Sequence, residues 1–382
     1  MQRPLRGALV GFGFIAGQGH APTYAKHMSN GRAVEIVAVA DICEARRQLA
    51  HAKFPDARIY TDHRSLLAAE EADKIDFVDI ATPPAHHAEI AHDAFDHGLH
   101  VLCEKPMATS AEEAAGMLRH AQDARRVYFP CHNYKHAPVV KAVRGILDEG
   151  VIGPVHLVTM HTFRNTHAKG VEEWRPDWRR ERSYAGGGIA MDHGSHTFYL
   201  AFEWMKGYPK ALTAFSSTTE GFDTEDEFGC TLNFPSGLVS AHLSWTAGVR
   251  KVLYTLHGKR GAIRIEDEDI ELAILEAGPG VVAPGSPGKW RFEKRVAPSD
   301  WMDASHVGWF SSLFDEFRAA IAQQDFVGKD AREAFLCIQL IERAYRSARE
   351  GSRLMALDHN LGERQHRLRP HLPTGPAVED VV

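Results

Sequence analysis

From Arg6 to about Tyr134, short apolar runs alternate with longer amphipathic stretches, the rhythm of βαβ units around a parallel sheet buried on both faces. The pattern predicts strands at Gly7–Gly11, Glu35–Asp41, Phe77–Ala81, His100–Cys103 and Tyr128–Cys131. Helices are expected between them at Glu44–Phe54, Ala85–His97 and Ser110–Ala124, the last opening on the capping-box spacing of Ser110 and Glu113. After a helix at Val140–Asp148 the pattern changes to strands punctuated by turn residues, at Val155–Phe163, Ala211–Thr219, Phe228–Phe234, Leu238–Trp245, Val252–His257 and Ala262–Glu266. Hairpin turns fit Asn233–Gly237 and Gly258–Gly261, and the Gly- and Pro-rich Gly278–Gly288 reads as an exposed loop with a strand-like piece after it. Two amphipathic helices, Val307–Gln323 and Ala331–Glu350, close the pattern. The expected fold is therefore α/β, with a doubly wound parallel sheet over residues 1–134 and an α/β domain with a large open, mostly antiparallel sheet over 135–357. Residues 358–382 read as a flexible tail.

Composition narrows what such a chain does. Its 382 residues exceed what one core usually organises, in keeping with two domains. A net charge of −6 gives no general attraction for nucleic acid or anionic lipid, and no apolar run has the length of a membrane span. A small molecule is the expected partner. The first strand begins almost at Met1, which leaves no room for a signal sequence and makes the cytoplasm the expected compartment. Five dispersed cysteines without CxxC spacing read as reduced thiols rather than a disulfide framework or a zinc site.

Gly11-Phe12-Gly13-Phe14-Ile15-Ala16 follows the apolar Ala8-Leu9-Val10 and precedes a segment able to begin a helix, the context a dinucleotide-binding GxGxxG/A turn needs. Gly11 permits the tight turn, Gly13 presents no Cβ to the pyrophosphate, and Ala16 lets helix and strand approach. Asp41, at the end of the second strand, suits the hydroxyls of an adenosine ribose and favours NAD. Its spacing from Gly11 is longer than usual, which a polar insertion around His27–Arg32 accounts for. Arg46 and Arg47 lie close enough in sequence to meet a 2′-phosphate, so NADP stays open beside the plainer reading of two solvated helix residues. The first domain thus reads as a Rossmann domain.

Three further motifs follow in order: Ala81-Thr82-Pro83-Pro84-Ala85-His86-His87 after one strand, Cys103-Glu104-Lys105-Pro106 after the next, and Gly186-Gly187-Gly188-Ile189-Ala190-Met191-Asp192-His193-Gly194-Ser195-His196. Together with the glycine turn, the set resembles the Gfo/Idh/MocA family of sugar and cyclitol oxidoreductases over roughly Leu5 to Leu357. That resemblance implies that Lys105, Asp192 and His196 surround the carbon that exchanges hydride with a nicotinamide. It also places Gly11, Gly13, Phe14, Ile15, Asp41, Thr82, Pro83, His87, Glu104, Lys105 and Asn133 along the cofactor. The chemistry of the residues agrees, because oxidising a secondary alcohol needs a base for the hydroxyl proton and a positive group for the developing alkoxide. His196 suits the first task and Lys105 the second, with a share in the proton relay if a dry pocket lowers its pKa.

Asp192 and His196 are four residues apart, so on a helix they share a face, and the carboxylate either orients the imidazole or binds a substrate hydroxyl. Asp192 with His193 or His196 also has the chemistry of a metal site, but a neighbouring lysine disfavours a cation, and no metal is expected. Arg164, Trp174, Arg175 and Trp178 bring aromatic and basic groups suited to a polyol or sugar acid, so with Lys105, Asp192 and His196 they form the candidate substrate set. The chain departs from the common family pattern at Tyr199, where an aspartate often follows the histidine by three residues. The implied activity is hydride transfer between a secondary alcohol and NAD(P). The alternatives are a redox-neutral glycosidase that oxidises its sugar transiently and a nucleotide-binding sensor without catalysis. A homodimer or homotetramer is expected.

Overall fold

Strand β1 (Leu5–Val10) lies at the centre of a six-stranded sheet in the order β3-β2-β1-β4-β5-β6, with every pairing parallel. Its companions are β2 (Val34–Ala40), β3 (Arg58–Tyr60), β4 (Phe77–Ile80), β5 (His100–Cys103) and β6 (Tyr128–Pro130). This order reverses beside β1, and in open sheets of this kind ligands bind at the carboxyl ends of the strands where the order reverses. The computed structural model describes residues 3–29, 33–69, 75–218, 221–276, 289–297 and 306–357. The expected loop at Gly278–Gly288, part of the insertion around His27–Arg32 and the tail beyond 357 lie outside the described residues.

Helices α1 (Ala21–Ser29), α2 (Glu44–Lys53), α3 (His63–Ala69), α4 (His87–Asp96) and α5 (Ala111–Ala124) connect these strands. Helix α3, strand β3 and the course of the helix after the glycine turn escape the sequence pattern. β3 has three residues, too few to show a period, and the helix after the glycine turn runs from Phe14 to Ser29 through a π-helical turn at Ala16–His20. At α5 the expected capping box is shifted. Ser110 Oγ accepts from the Glu113 amide at 3.2 Å, but Glu113 reaches back to the amide and hydroxyl of Thr109 rather than to Ser110.

Past α6 (Pro138–Asp148) the chain builds a nine-stranded sheet from β7 (Val155–Phe163), β8 (Ala211–Ser217), β9 (Glu227–Phe234), β10 (Gly237–Ser244), β11 (Lys251–Gly258), β12 (Gly261–Glu266), β13 (Asp269–Glu276), β14 (Lys289–Val296) and β15 (Met355–Ala356). Its order is β14-β13-β12-β11-β7-β10-β9-β8-β15, antiparallel except where β10 runs parallel to β7. The two hairpins fall where the turn residues put them, with Phe234 paired to Gly237 and Gly258 to Gly261. β13 had no such signal ahead of it, because Asp267, in the left-handed region at φ 51°, makes that turn without a glycine.

The short α7 (Arg182–Ala185), α8 (Ile189–Met205) and α10 (Lys329–Arg349) follow, α8 and α10 packing on the inner face of this sheet. Helix α9 (Val307–Gln323) instead returns to the first sheet, burying Phe310, Phe314 and Phe317 against Leu9, Tyr24 and Phe77.

One buried ionic cluster joins the parts of the parallel-sheet half. Asp79 is inside β4 with no exposure, so its carboxylate needs partners. It accepts from Tyr24 at 2.6 Å and contacts His20 Nδ1 at 2.6 Å, while His20 Nε2 lies 3.0 Å from Glu104 Oε1. Burial alone would lower the His20 pKa, but the two carboxylates outweigh it and push it up to about 10. The imidazolium therefore ties the π-helical turn to β4 and to the Glu104 loop. Removing it with His20→Ala leaves two buried carboxylates without their shared cation, at an expected cost of about 3–5 kcal/mol, read as a large fall in Tm. Because a free histidine titrates near 6.5 and this one near 10, the contribution is whole below pH 6.5 and is lost as pH rises toward 10. Wild-type Tm falls across that window, and a profile as flat as that of the variant would contradict the assignment.

Candidate active site

The last glycines of the Gly186–Gly188 run are required by what presses on them. A Cβ on Gly187 would meet the Tyr345 hydroxyl at 2.0 Å, and one on Gly188 would meet the Glu225 carbonyl oxygen at 2.0 Å. The Glu225 carboxylate accepts from the amides of Gly188 (2.9 Å) and Ala190 (3.0 Å) and from Tyr345 Oη (2.8 Å), so it satisfies the N-terminus of α8. The cap lies far from the helix in sequence and carried no local signal.

Anchored in this way, α8 turns Asp192, His193 and His196 into a cleft of about 1110 Å³ that opens over the glycine turn. Lys105 enters the same cleft from the loop after β5. Its Nζ donates to Asp192 Oδ1 at 3.0 Å and to the Asp192 carbonyl at 2.9 Å, and its own amide donates to Glu104 Oε2. Arg179 Nε lies 3.4 Å from the same Asp192 oxygen. Burial favours the protonated form of Asp192, but the charges of Lys105 and Arg179 prevail and hold it well below the usual carboxylate range.

The carboxylate does not orient His196. The two share a helix face, yet Asp192 is engaged by Lys105 and Arg179, and His196 Nδ1 instead meets the Tyr199 hydroxyl at 2.6 Å. Tyr199, the position where the chain departs from the family pattern, also accepts from the Tyr134 amide at 3.2 Å. The Tyr134 ring stacks on the imidazole with centroids 3.8 Å apart. Burial, then the nearby Lys105 and His193, push the His196 pKa well below 6.5, and burial takes His193 down to about 3, so both rings are neutral at neutral pH.

At the other end of the cleft, Gly11 has φ 89°, and a Cβ there would lie 2.9 Å from the Ala81 carbonyl, so the crossing of β1 and β4 admits only glycine. A Cβ built on Gly13 meets nothing within 4 Å, which leaves an open cradle at the start of the helix. Phe14, Ile15, Pro83 and Glu104 line the same cleft, as do Thr82 and Asn133, whose Oγ1 and Oδ1 are buried without a protein partner. Asp41 also lines it, oriented by the amides of Phe12 (2.6 Å) and Cys43 (2.7 Å). The open cradle and the orphaned polar atoms fit a dinucleotide. Arg46 lines the cleft and donates through Nε to the Phe12 carbonyl, whereas Arg47, outside the lining, donates to the carbonyls of Asp41 and Ile42.

Two expected site residues fall outside the cleft. His87 is fully buried, with ring nitrogens 2.8 and 2.9 Å from the carbonyls of Thr82 and Pro106, where it ties the two motif loops together. Arg175 is exposed, paired with Glu181 at 3.0 Å and lying over Tyr184. Arg164, Trp174 and Trp178 do line the cleft. Sequence reasoning missed Tyr199 as a partner of His196, Arg179 and His20. The first had a signal in its spacing from His196, whereas the others act through contacts across the fold.

Residues 5–132 match the family described as "Oxidoreductase family, NAD-binding Rossmann fold", and residues 140–264 match the GFO/IDH/MocA C-terminal domain. A levoglucosan dehydrogenase from Pseudarthrobacter phenanthrenivorans is 30% identical over 67% of this chain and 72% of its own length. The inositol 2-dehydrogenase of Rhizobium meliloti is 24% identical over 89% of this chain and 97% of its own. Among solved structures, a levoglucosan dehydrogenase in complex with NADH and L-sorbose superposes with a TM-score of 0.77 at 21% identity, over 94% of this chain and all of that one. GenD2 from gentamicin A biosynthesis in complex with NAD does so at 0.74 and 25% identity, over 94% and 97%. No helix among the described residues is long and apolar enough to cross a membrane. With both domain descriptions matched in chain order and the glycine turn, the Glu-Lys-Pro loop and the Asp/His helix meeting in one cleft, the chain belongs to the Gfo/Idh/MocA family of NAD-binding oxidoreductases.

Proposed function

We propose that the protein oxidises a secondary hydroxyl of a sugar, sugar acid or cyclitol to a ketone, reversibly. The observation that carries this reading is Lys105 Nζ held 3.0 Å from Asp192 in the cleft that also holds a neutral His196. Relatives whose names specify oxidation of levoglucosan and of inositol support the substrate class. Bound NAD supplies the hydride acceptor. Gly11, Gly13, Phe14 and Ile15 would hold its pyrophosphate at the helix start, Asp41 its adenosine ribose, and Thr82 and Asn133 its nicotinamide end.

The protein's own work is charge and proton management. Asp192 keeps the lysine in place, and the ammonium donates to the substrate oxygen and stabilises the alkoxide as it forms. In the tautomer whose Nδ1–H donates to Tyr199, the Nε2 lone pair of His196 accepts the hydroxyl proton. Asp41 at the ribose supports NAD over NADP. The outer face of the nine-stranded sheet exposes Leu157, Phe215 and Leu238, which supports self-association into a dimer or tetramer.

Lys105→Met and His196→Gln each lower kcat by about 10²–10⁴-fold, while NADH binding, followed by its fluorescence, persists. Unchanged turnover in Lys105→Met would end the proposal, and product appearing without stoichiometric NADH would point to the redox-neutral chemistry. Since a lowered pKa leaves His196 unprotonated as pH falls past 6.5, the acid limb of kcat/KM for oxidation lies below 6.5. Tyr199→Phe changes that limb, and a profile identical to wild type would remove Tyr199 from the proton path. Light scattering on the purified protein gives a mass of two or four chains, and a monomer at micromolar concentration would refute the oligomer.

A further inference from the structure

The substrate end of the cleft holds more positive charge than the protein itself neutralises. Lys105 and Arg179 share Asp192, and Arg180, buried beside the cleft, pairs with Asp226. Arg164, only 9% exposed, also lines the cleft, and among the described residues it has no ion pair. Its Nη1 donates to the carbonyls of Phe163 (2.8 Å) and Lys251 (3.5 Å), which leaves Nε and Nη2 without an acceptor among the described residues. His193, on the facing turn of α8, feels the charge of Arg164 and is neutral, so it offers no compensation. A guanidinium fixed in a cleft wall without a counter-ion is a ready partner for an anionic group on a ligand.

A second unpartnered donor is carried by the neighbouring strand end. Arg164 and Trp245 lie one step beyond the last pair of the β7–β10 ladder, Phe163 with Ser244, and both line the cleft. Trp245 is 1% exposed, yet its indole Nε1 is buried with no acceptor. The backbone at this point is held by the Arg164 amide to the Ser244 carbonyl (2.8 Å) and the Ala247 amide to the Arg164 carbonyl (3.0 Å), so the pair sits on rigid strand ends.

We infer that Arg164 and Trp245 form an anion subsite for a carboxylate on the substrate, making the preferred substrate an acidic sugar, a uronate or aldonate, rather than a neutral sugar or inositol. A carboxylate fits the open edge of the guanidinium, because Nε and Nη2 of Arg164 present two parallel donors in one plane, the side-on geometry that pairs with two carboxylate oxygens. The inference rests on the proposed alcohol oxidation and narrows its substrate class.

The test compares kcat/KM with NAD across hexoses, pentoses and inositols, their matching uronates and aldonates, and the corresponding 6-phosphates. The acids exceed their neutral counterparts by about 100-fold, and Arg164→Met collapses that ratio by a similar factor. Arg164→Lys keeps part of the preference, and Trp245→Phe, which retains the ring and removes the N–H, lowers the ratio severalfold; these two variants carry the test if the methionine variant does not fold. Neutral substrates used as well as acids, equal losses on both classes in Arg164→Met, or a preference for phosphate esters would each overturn the assignment. If no compound in the panel is oxidised, the proposed function fails, and the subsite is then judged by calorimetry on the NADH-loaded enzyme. Glucuronate or gluconate binding that is lost in Arg164→Met upholds the subsite, and no carboxylate binding overturns it.

Discussion

An ammonium and a carboxylate from opposite halves of the molecule, Lys105 after a parallel strand and Asp192 on the helix over the mixed sheet, meet at 3.0 Å where the halves join. Burying both charges is expensive, and an isolated pair so placed is weak evidence of stability. This one is not isolated. The lysine also reaches the Asp192 carbonyl, and Arg179 supplies a second cation, so the aspartate stays ionised although burial opposes it. The pair defines the point that the cofactor end and the substrate end of the cleft both face.

Two buried acids away from that point keep it in place. Glu104, adjacent to Lys105, is fixed by the His20 imidazolium, which Asp79 fixes in turn from inside β4. Glu225 secures the first turn of α8, one turn before Asp192. Each replaces a hydration shell with oriented hydrogen bonds, so the lysine and the aspartate approach each other on supports that are already satisfied. The glycines between them follow from the same packing, since at Gly188 there is no room for a side chain against Glu225.

The cleft is arranged by charge along its length. At the glycine turn it offers an open cradle and unpartnered oxygens. In the middle, Lys105 and Arg179 share the single carboxylate of Asp192 beside two neutral histidines. At the far wall Arg164 is left in excess. A base that must take a proton has to start neutral, and burial among cations achieves that for His196.

Much of this was legible in the residues alone. Non-alternating apolar runs marked the strands buried on both faces, turn residues marked two hairpins of the second sheet, and the four motifs marked the loops that line the cleft. Such signals are local, because periodicity and turn chemistry are settled within a few residues of one another. The fold decided which of two residues spaced to reach His196 along α8 holds it, Tyr199 rather than Asp192, and it alone decided that His87 braces two loops instead of facing a ligand and that α9 packs on the sheet formed by the other end of the chain. Those outcomes depend on which distant groups are brought within about 3 Å of one another after water is excluded, and a buried charge takes its partner from that neighbourhood whatever the distance along the sequence.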